Sequence, residues 1–297
     1  MGGFLGLLGW LLWGIKGVLM LVLLGLILML FNPGTTPWLI MRMYGGVRLS
    51  TDQAPLLQSA LLELSKRAGL SHIPSLYYIP SRIVNAFALG QRDDAAIAVS
   101  DGLLRTLDSR ETVAVLAHEL SHVRNNDIRV MGVADLFSRL TSLLSLFGLL
   151  LLILNLPLVL LGAVGVNWFA ILVLIFAPNL SALAQLGLSR TREYDADLNA
   201  VNLTGDPEGL ARALVKIEQT SGSFLKRILL PGRRAPEPSL LRSHPPTDER
   251  VRRLMRLKDS QLNAPFAIQL RQDNLPDFMV SALTQRTPRW RITGLWH

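Results

Sequence analysis

Cysteine does not occur among the 297 residues. Its absence excludes a disulfide framework and any thiolate-held metal, so a bound metal must rest on His and carboxylate side chains. It also fits a reducing compartment. Charge is scarce. Asp, Glu, Lys and Arg make up 18% of the chain and hydrophobic residues 50%, with a mean hydropathy of +0.35. These values exclude a charged, disordered chain and lie on the membrane side of globular norms. Histidine is rare too, with five in all. No internal repeat is present, and the length suits one large domain or two small ones.

The missing charge is concentrated in two blocks. Phe4 to Phe31 is apolar apart from Lys16, and no charge occurs from Gly17 to Met41. About 20 helical residues cross the roughly 30 Å of bilayer hydrocarbon, so residues 1–34 read as an uncleaved anchor. Lys16 can snorkel from one end, and Trp10, Trp13 and Trp38 suit the interfacial belts. In the second block, 50 uncharged residues separate Arg139 from Arg190. One helix of that length would reach about 75 Å. Two spans, near Leu140–Leu161 and Val166–Leu186, fit better. Gly162, Gly165 and Asn167 mark the turn, and Pro157 is expected to kink or end the first span. The competing reading is a buried core hairpin of a soluble protein.

A hairpin returns the chain to the side it left. The segments before Arg139 and after Arg190 then share one compartment and can build one site. Arg42, Arg48, Lys66, Arg67, Arg129, Arg139, Arg190 and Arg192 mark that side as cytoplasmic, since cytoplasmic flanks carry the excess of Lys and Arg. Residues 205–297 hold 16 Lys and Arg against 9 Asp and Glu. They read as a face near anionic lipid. A nucleic-acid partner is not expected, because no finger, RRM-like or basic-region pattern accompanies the Arg residues.

Against this background one pentad stands out, His118-Glu119-Leu120-Ser121-His122. Helical residues four apart share a face, so both imidazoles can point at one metal ion. Zinc accepts imidazole nitrogen at about 2.0–2.1 Å, and a catalytic zinc keeps a position open for water. Glu119 beside the first His can take the proton of that water as general base. The bland alternative is a surface helix that happens to carry two His. With this composition, chance yields the pattern on the order of 0.002 times per shuffled chain.

Local signals place the pentad. Thr51 to Leu70 reads as a helix, and Ile73–Ile79 and Ala95–Ser100 as short strands, with Asn85-Ala86-Phe87-Ala88 between them. Asp108-Ser109-Arg110-Glu111 resembles a capping box that would start the pentad helix. Val113, Leu116, Ala117 and Leu120 form its apolar stripe. Beyond the hairpin, Thr191–Asp197 reads as the start of another helical stretch, in which Glu193 and Asp197 share a face. Asp206-Pro207 opens a helix through about Thr220. Pro231–Pro246 reads as a loop and Thr247–Leu257 as a basic helix. Two His leave a catalytic zinc one protein ligand short. The other His and the acids are the candidates, and Glu193 is the best placed of them. For Asp197 the functional reading is a carboxylate that orients a ligand His; a solvated helix charge is the alternative for both acids.

These pieces resemble the HtpX-type membrane metalloproteases, relatives of the CAAX prenyl proteases. The matching residues are Asn85–Ala88, Ile97–Leu104, Ala117–His122, Arg192–Asp197 and Ser243-His244-Pro245-Pro246-Thr247, in the family's order over roughly residues 40–258. The resemblance implies zinc (Zn2+) held by His118, His122 and Glu193, with Glu119 as general base and Asp197 in support. It implies an edge strand at Ala95–Ser100, including Ala98 and Val99, along which an extended substrate lies. Asn85 is expected to hold substrate backbone, with an ordinary turn residue as the alternative, and His244 to donate to a developing oxyanion, with a His in a Pro-bounded turn as the alternative. The chain departs from the family's pattern at Leu89, where Thr is common, in an N-terminal region resembling one long span, and in a tail beyond Ser260.

The expected fold is a mainly α membrane protein of α+β type. It is a helical zincin catalytic domain with a small β-sheet, interrupted by a transmembrane helical hairpin. The expected divisions are an anchor (1–34), a first catalytic half (35–138), the hairpin (139–189), a second catalytic half (190–260) and a C-terminal extension (261–297). The expected function is zinc-dependent cleavage of membrane proteins or peptides in the bacterial inner membrane, with the catalytic domain in the cytoplasm and a role in quality control. Two alternatives stand beside it: a processing protease for one peptide or prenylated substrate, and a non-proteolytic membrane scaffold or chaperone. The sequence names no oligomeric state.

Overall fold

The computed structural model describes residues 14–24, 37–162, 168–228 and 246–260, together with residues 6 and 10. Its helices are α1 (Gly14–Leu24), α2 (Pro37–Met43), α3 (Pro55–Arg67), α4 (Asp101–Thr106), α5 (Ser109–Arg124), α6 (Asp127–Leu160), α7 (Trp168–Thr204), α8 (Pro207–Ile228) and α9 (Thr247–Ser260). Its strands are β1 (Val47–Arg48), β2 (Ser75–Ile79), β3 (Ala86–Gln91) and β4 (Asp94–Ser100). Most of the N-terminal anchor, the hairpin turn at 163–167, His244 and the tail from 261 lie outside the described residues.

Helix α5 is the axis of the globular part, and its start is fixed locally. Asp108 accepts from the Glu111 N–H at 2.8 Å while the Glu111 carboxylate accepts from the Asp108 N–H at 3.0 Å. This is the capping box the sequence signals, and it satisfies two of the donors that a helix N-terminus leaves unpaired. Val113, Leu116, Ala117 and Leu120 are buried, as their spacing requires. They pack with α3, α7, α8, α9 and one face of the sheet in the main core. Helix α8 opens on Pro207 after Asp206, whose carboxylate accepts from the Gly209 N–H at 2.8 Å.

The four strands run in the order β1-β2-β4-β3, with β2 parallel to β4 and the other pairs antiparallel. Strand β4 is therefore central, which corrects the expectation that Ala95–Ser100 forms an edge. Ala98 and Val99 pair with β2 on one side and β3 on the other, and both are fully buried. The physical reason lies in the residues themselves. Ala95-Ala96-Ile97-Ala98-Val99 is a continuous apolar run, the signature of a strand covered on both faces, whereas a half-exposed strand alternates. Ile97 and Val99 face the main core. Ala96 and Ala98 join a second cluster with Met41 of α2 and with Phe87 and Leu89 of β3. The edges are β1 and β3, and β3 includes the Ala86-Phe87-Ala88 segment that sequence reasoning left unassigned. Gly90 (φ 88°) lets α2 approach it. A Cβ there would sit 2.7 Å from Pro37 Cγ and 2.0 Å from the Asp94 carbonyl oxygen.

Helices α6 and α7 span 34 and 37 residues. Both contain a stretch long and apolar enough to cross a membrane. They pack against each other with small residues at the seam. Ser138 Oγ lies 3.0 Å from Ser181 Oγ, Ser145 Oγ donates to the Leu174 carbonyl at 2.7 Å, and a Cβ on Gly148 would meet Leu174 at 2.4 Å. Away from the seam, Leu143, Leu146, Ile153, Leu154, Leu172 and Leu183 are exposed. A hairpin buried in this chain's own core would not show that exposure. Two details differ from expectation. Pro157 does not end α6, which runs on to Leu160, and Thr191–Asp197 does not start a new helix but continues α7 without a break. No proline follows Pro178 in α7, so nothing interrupts the ladder between the apolar part and the acidic part.

Candidate active site

Two turns of α5 and two turns of α7 meet where the apolar helices join the globular part. His118 and His122 lie one turn apart on α5, with ring centroids 4.8 Å apart and the rings perpendicular. Their Nε2 atoms approach to 3.3 Å. Glu193 faces them from α7, with its oxygens 3.5 Å from His118 Nε2 and 3.8 Å from His122 Nε2. One ligand atom from each of the three residues fits within 4.8 Å of the others, so His118, His122 and Glu193 form a possible metal site. Glu119 lies beside His118, half-buried.

Each imidazole has a carboxylate on its far side. Asp197, one turn beyond Glu193, places Oδ1 3.1 Å from His118 Nδ1. Asp127, the first residue of α6, places Oδ2 2.9 Å from His122 Nδ1. At His122 the contact has hydrogen-bond geometry, so the carboxylate keeps a proton on Nδ1 and leaves the Nε2 lone pair for a metal. At His118 the contact is an ion-pair distance without that geometry. Each carboxylate is in turn held by a guanidinium. Arg250 of α9 donates to both oxygens of Asp197, at 2.8 and 2.6 Å, and also comes within 3.2 Å of Glu193. Arg192 of α7 donates to Asp127 at 3.0 Å.

The donor set and its charge fit a divalent cation. Four carboxylates (Glu119, Asp127, Glu193 and Asp197) face two guanidinium groups, Arg192 and Arg250. Two negative charges remain. The same field acts on His118. Burial alone pushes its pKa down, but the carboxylates of Asp197 and Glu193 outweigh burial and raise it, as they would favour any positive charge held at that ring, a metal ion included. The pocket thus favours positive charge at the point between the rings where the three ligand atoms converge.

Among the residues singled out from sequence, the structure gathers His118, Glu119, His122, Glu193 and Asp197. Asn85 lies at the head of β3. Its N–H donates to Ser100 Oγ and its carbonyl accepts from the Ser100 N–H, both at 3.0 Å. Ala98 and Val99 are sealed inside the sheet. Sequence reasoning missed Asp127 and Arg250 altogether and read Arg192 only as a charge flanking a span. Arg250 carried a signal. It shares a helical face with Leu254, which is buried, while Arg252, Arg253 and Arg256 on the same helix are exposed. Asp127 carried none, because it lies across a helix break from His122.

A two-His, one-Glu site beside an acid, at the foot of two exposed apolar helices, defines the class of membrane metallopeptidases. The chain belongs to peptidase family M48, whose model matches residues 51–258. Its relatives include the "Protease HtpX homolog" of Polynucleobacter necessarius, 33% identical over 269 residues, covering 86% of this chain and 89% of that one. The "Protease HtpX homolog" of Acaryochloris marina is 36% identical over 233 residues, covering 72% of this chain and 76% of that one. A crystal structure of S. mikatae Ste24p is similar with a TM-score of 0.49 and 20% identity, covering 80% of this chain and 57% of that one, so the chain spans just over half of that protein's length.

Proposed function

We propose that the chain is a zinc endopeptidase that cuts membrane proteins, or their exposed segments, at the cytoplasmic face of a bacterial inner membrane, in protein quality control. The observation that carries the reading is the convergence of His118, His122 and Glu193 within 4.8 Å, with Glu119 beside them. In this reading His118, His122 and Glu193 hold the zinc, and Asp197 orients His118. An ion held there would supply Lewis acidity toward the scissile carbonyl and the attacking water. Glu119 takes the water's proton and later delivers one to the leaving amine. His244 donates to the oxyanion.

Strand β3 replaces β4 as the place where substrate lies. Among the described residues it pairs on one side only. An extended substrate can add there as a further strand through main-chain hydrogen bonds, which reads backbone and tolerates varied side chains. Asn85, held by Ser100 at the head of β3, is set to bind substrate backbone. In this reading helices α6 and α7 cross the bilayer as a hairpin, and the Arg and Lys residues around their bases support a cytoplasmic site. The experiment is zinc analysis and cleavage of a membrane substrate by the wild type and Glu119→Gln. Glu119→Gln is expected to keep its zinc and lose cleavage by at least about 100-fold, in line with the removal of a general base. Undiminished cleavage by that variant overturns the mechanism. A spread of cleavage sites across unrelated membrane proteins supports quality control, whereas one defined site in one substrate refutes it.

A further inference from the structure

Asp127 and Arg192 have no part in the chemistry just described, yet they occupy a junction. Helix α5 ends at Arg124, and Asn126 follows in a left-handed conformation (φ 56°), the one non-glycine residue to do so among those described. That turn brings the first residue of α6 back to the last turn of α5. Asp127 Oδ2 reaches His122 Nδ1 at 2.9 Å, and its other oxygen accepts from Arg192 at 3.0 Å. The Asp127 side chain is 2% exposed. At that depth an unpaired carboxylate would be costly, so Arg192 is a condition of its presence. Arg192 also directly precedes Glu193 on α7. One buried carboxylate therefore ties a histidine of α5, the base of α6 and the turn of α7 that carries the third ligand. The His118 side has a separate tether, through Asp197 to α9, that does not touch α6.

We infer that Asp127 and Arg192 are positioning residues that make the metal site depend on the packing of α6 against α7. Asp127 fixes the His122 ring, and the ion pair fixes how closely the Glu193 turn approaches it. The ligand set is complete only while the two apolar helices are held together at their bases. This inference rests on the metal-centre reading above.

The test uses the full-length protein in lipid nanodiscs, titrated with Co2+ and then competed with Zn2+. Asp127→Asn and Arg192→Gln are expected to bind cobalt about 10–100-fold more weakly, the usual cost of losing an outer-shell partner. At saturating cobalt their visible absorption should shift, kcat should fall and KM should change little. A purely structural role would lower the folded fraction without moving the spectrum of the loaded protein. Arg192→Lys should restore part of the affinity. The double variant should be no worse than Asp127→Asn alone, since the two act as a unit. Unchanged affinity and spectrum in both single variants, with the wild type binding normally, overturn this inference alone. A wild type that binds no cobalt overturns the metal-centre reading and the inference with it. If Asp127→Asn does not fold, the comparison of Arg192→Gln with Arg192→Lys decides.

Discussion

Helices α5 and α6 follow each other across two asparagines and treat the same residue type in opposite ways. On α5, Leu116 and Leu120 are 0% exposed. On α6, Leu146 is 67% and Leu150 50% exposed. Composition does not distinguish these leucines. Their neighbours do: α5 is surrounded by α3, α7, α8 and the sheet, whereas α6 touches α5 and β3 but along its apolar stretch has α7 on one side and exposed leucines on the others. The first helix is solvated by protein and the second calls for lipid. The possible metal site straddles the change, with two ligands on α5, the third on α7, and Asp127 at the first residue of α6.

Four substitutions sharpen or break that contrast. The largest effect is expected from Leu116→Ala, which should destabilise the globular part by about 2–5 kcal/mol through lost burial and a cavity. The measurement is denaturant unfolding in nanodiscs. An effect as small as that of a surface change would mean α5 is not the core. Leu150→Arg comes next. A charge at mid-span costs about 2.5–3.5 kcal/mol on insertion scales, so the variant should integrate poorly into membranes while a soluble-side change such as Leu62→Arg should not. Normal integration of Leu150→Arg would return the hairpin to solvent. Leu150→Ala should cost no more than about 0.5 kcal/mol, because it opens no cavity. A cost like that of Leu116→Ala would erase the difference between the two helices.

The smallest effect lies far from the junction, at Asp206. Burial raises its pKa, but the hydrogen bonds from Arg110 and from the Gly209 N–H outweigh burial and lower it. A depressed carboxylate stabilises above its unfolded pKa of about 3.9. That stability is lost as pH falls through the lower folded value. The Tm gap between the wild type and Asp206→Asn should therefore be full above about pH 5 and close below pH 4. A gap that stays constant to pH 2 would show that Arg110 contributes packing and not charge.

Much of the site was legible because its logic is local. His118 and His122 are four apart, Glu193 and Asp197 are four apart, and a helix converts that spacing into a shared face. The capping box around Asp108 fixed the start of α5 from four residues. The pair of long apolar helices, α6 and α7, showed itself through missing charge. Other parts depended on relations no window contains. Ala98 and Val99 were assigned to an edge, although their unbroken apolar run already fits a central strand. Which strand lies at the edge was settled by β2 returning parallel to β4, an arrangement that depends on packing over α3 and α5. Arg250 lies 53 residues from Asp197 and 57 from Glu193, and only the docking of α9 on α7 and α8 brings it between them.

The sequence by itself determined the ligand types and the apolar character: two imidazoles and acids at helical spacing, and two blocks almost without charge. It could do so because ligand type and hydropathy belong to residues, and helical periodicity belongs to short stretches. The tertiary structure alone decided what surrounds each ligand. It put Asp197 behind His118 with Arg250 bridging Asp197, Glu193 and the His118 ring, and Asp127 and Arg192 behind His122. Those contacts join α5, α6, α7 and α9, and a buried charge finds its partner only after the helices that carry both have packed.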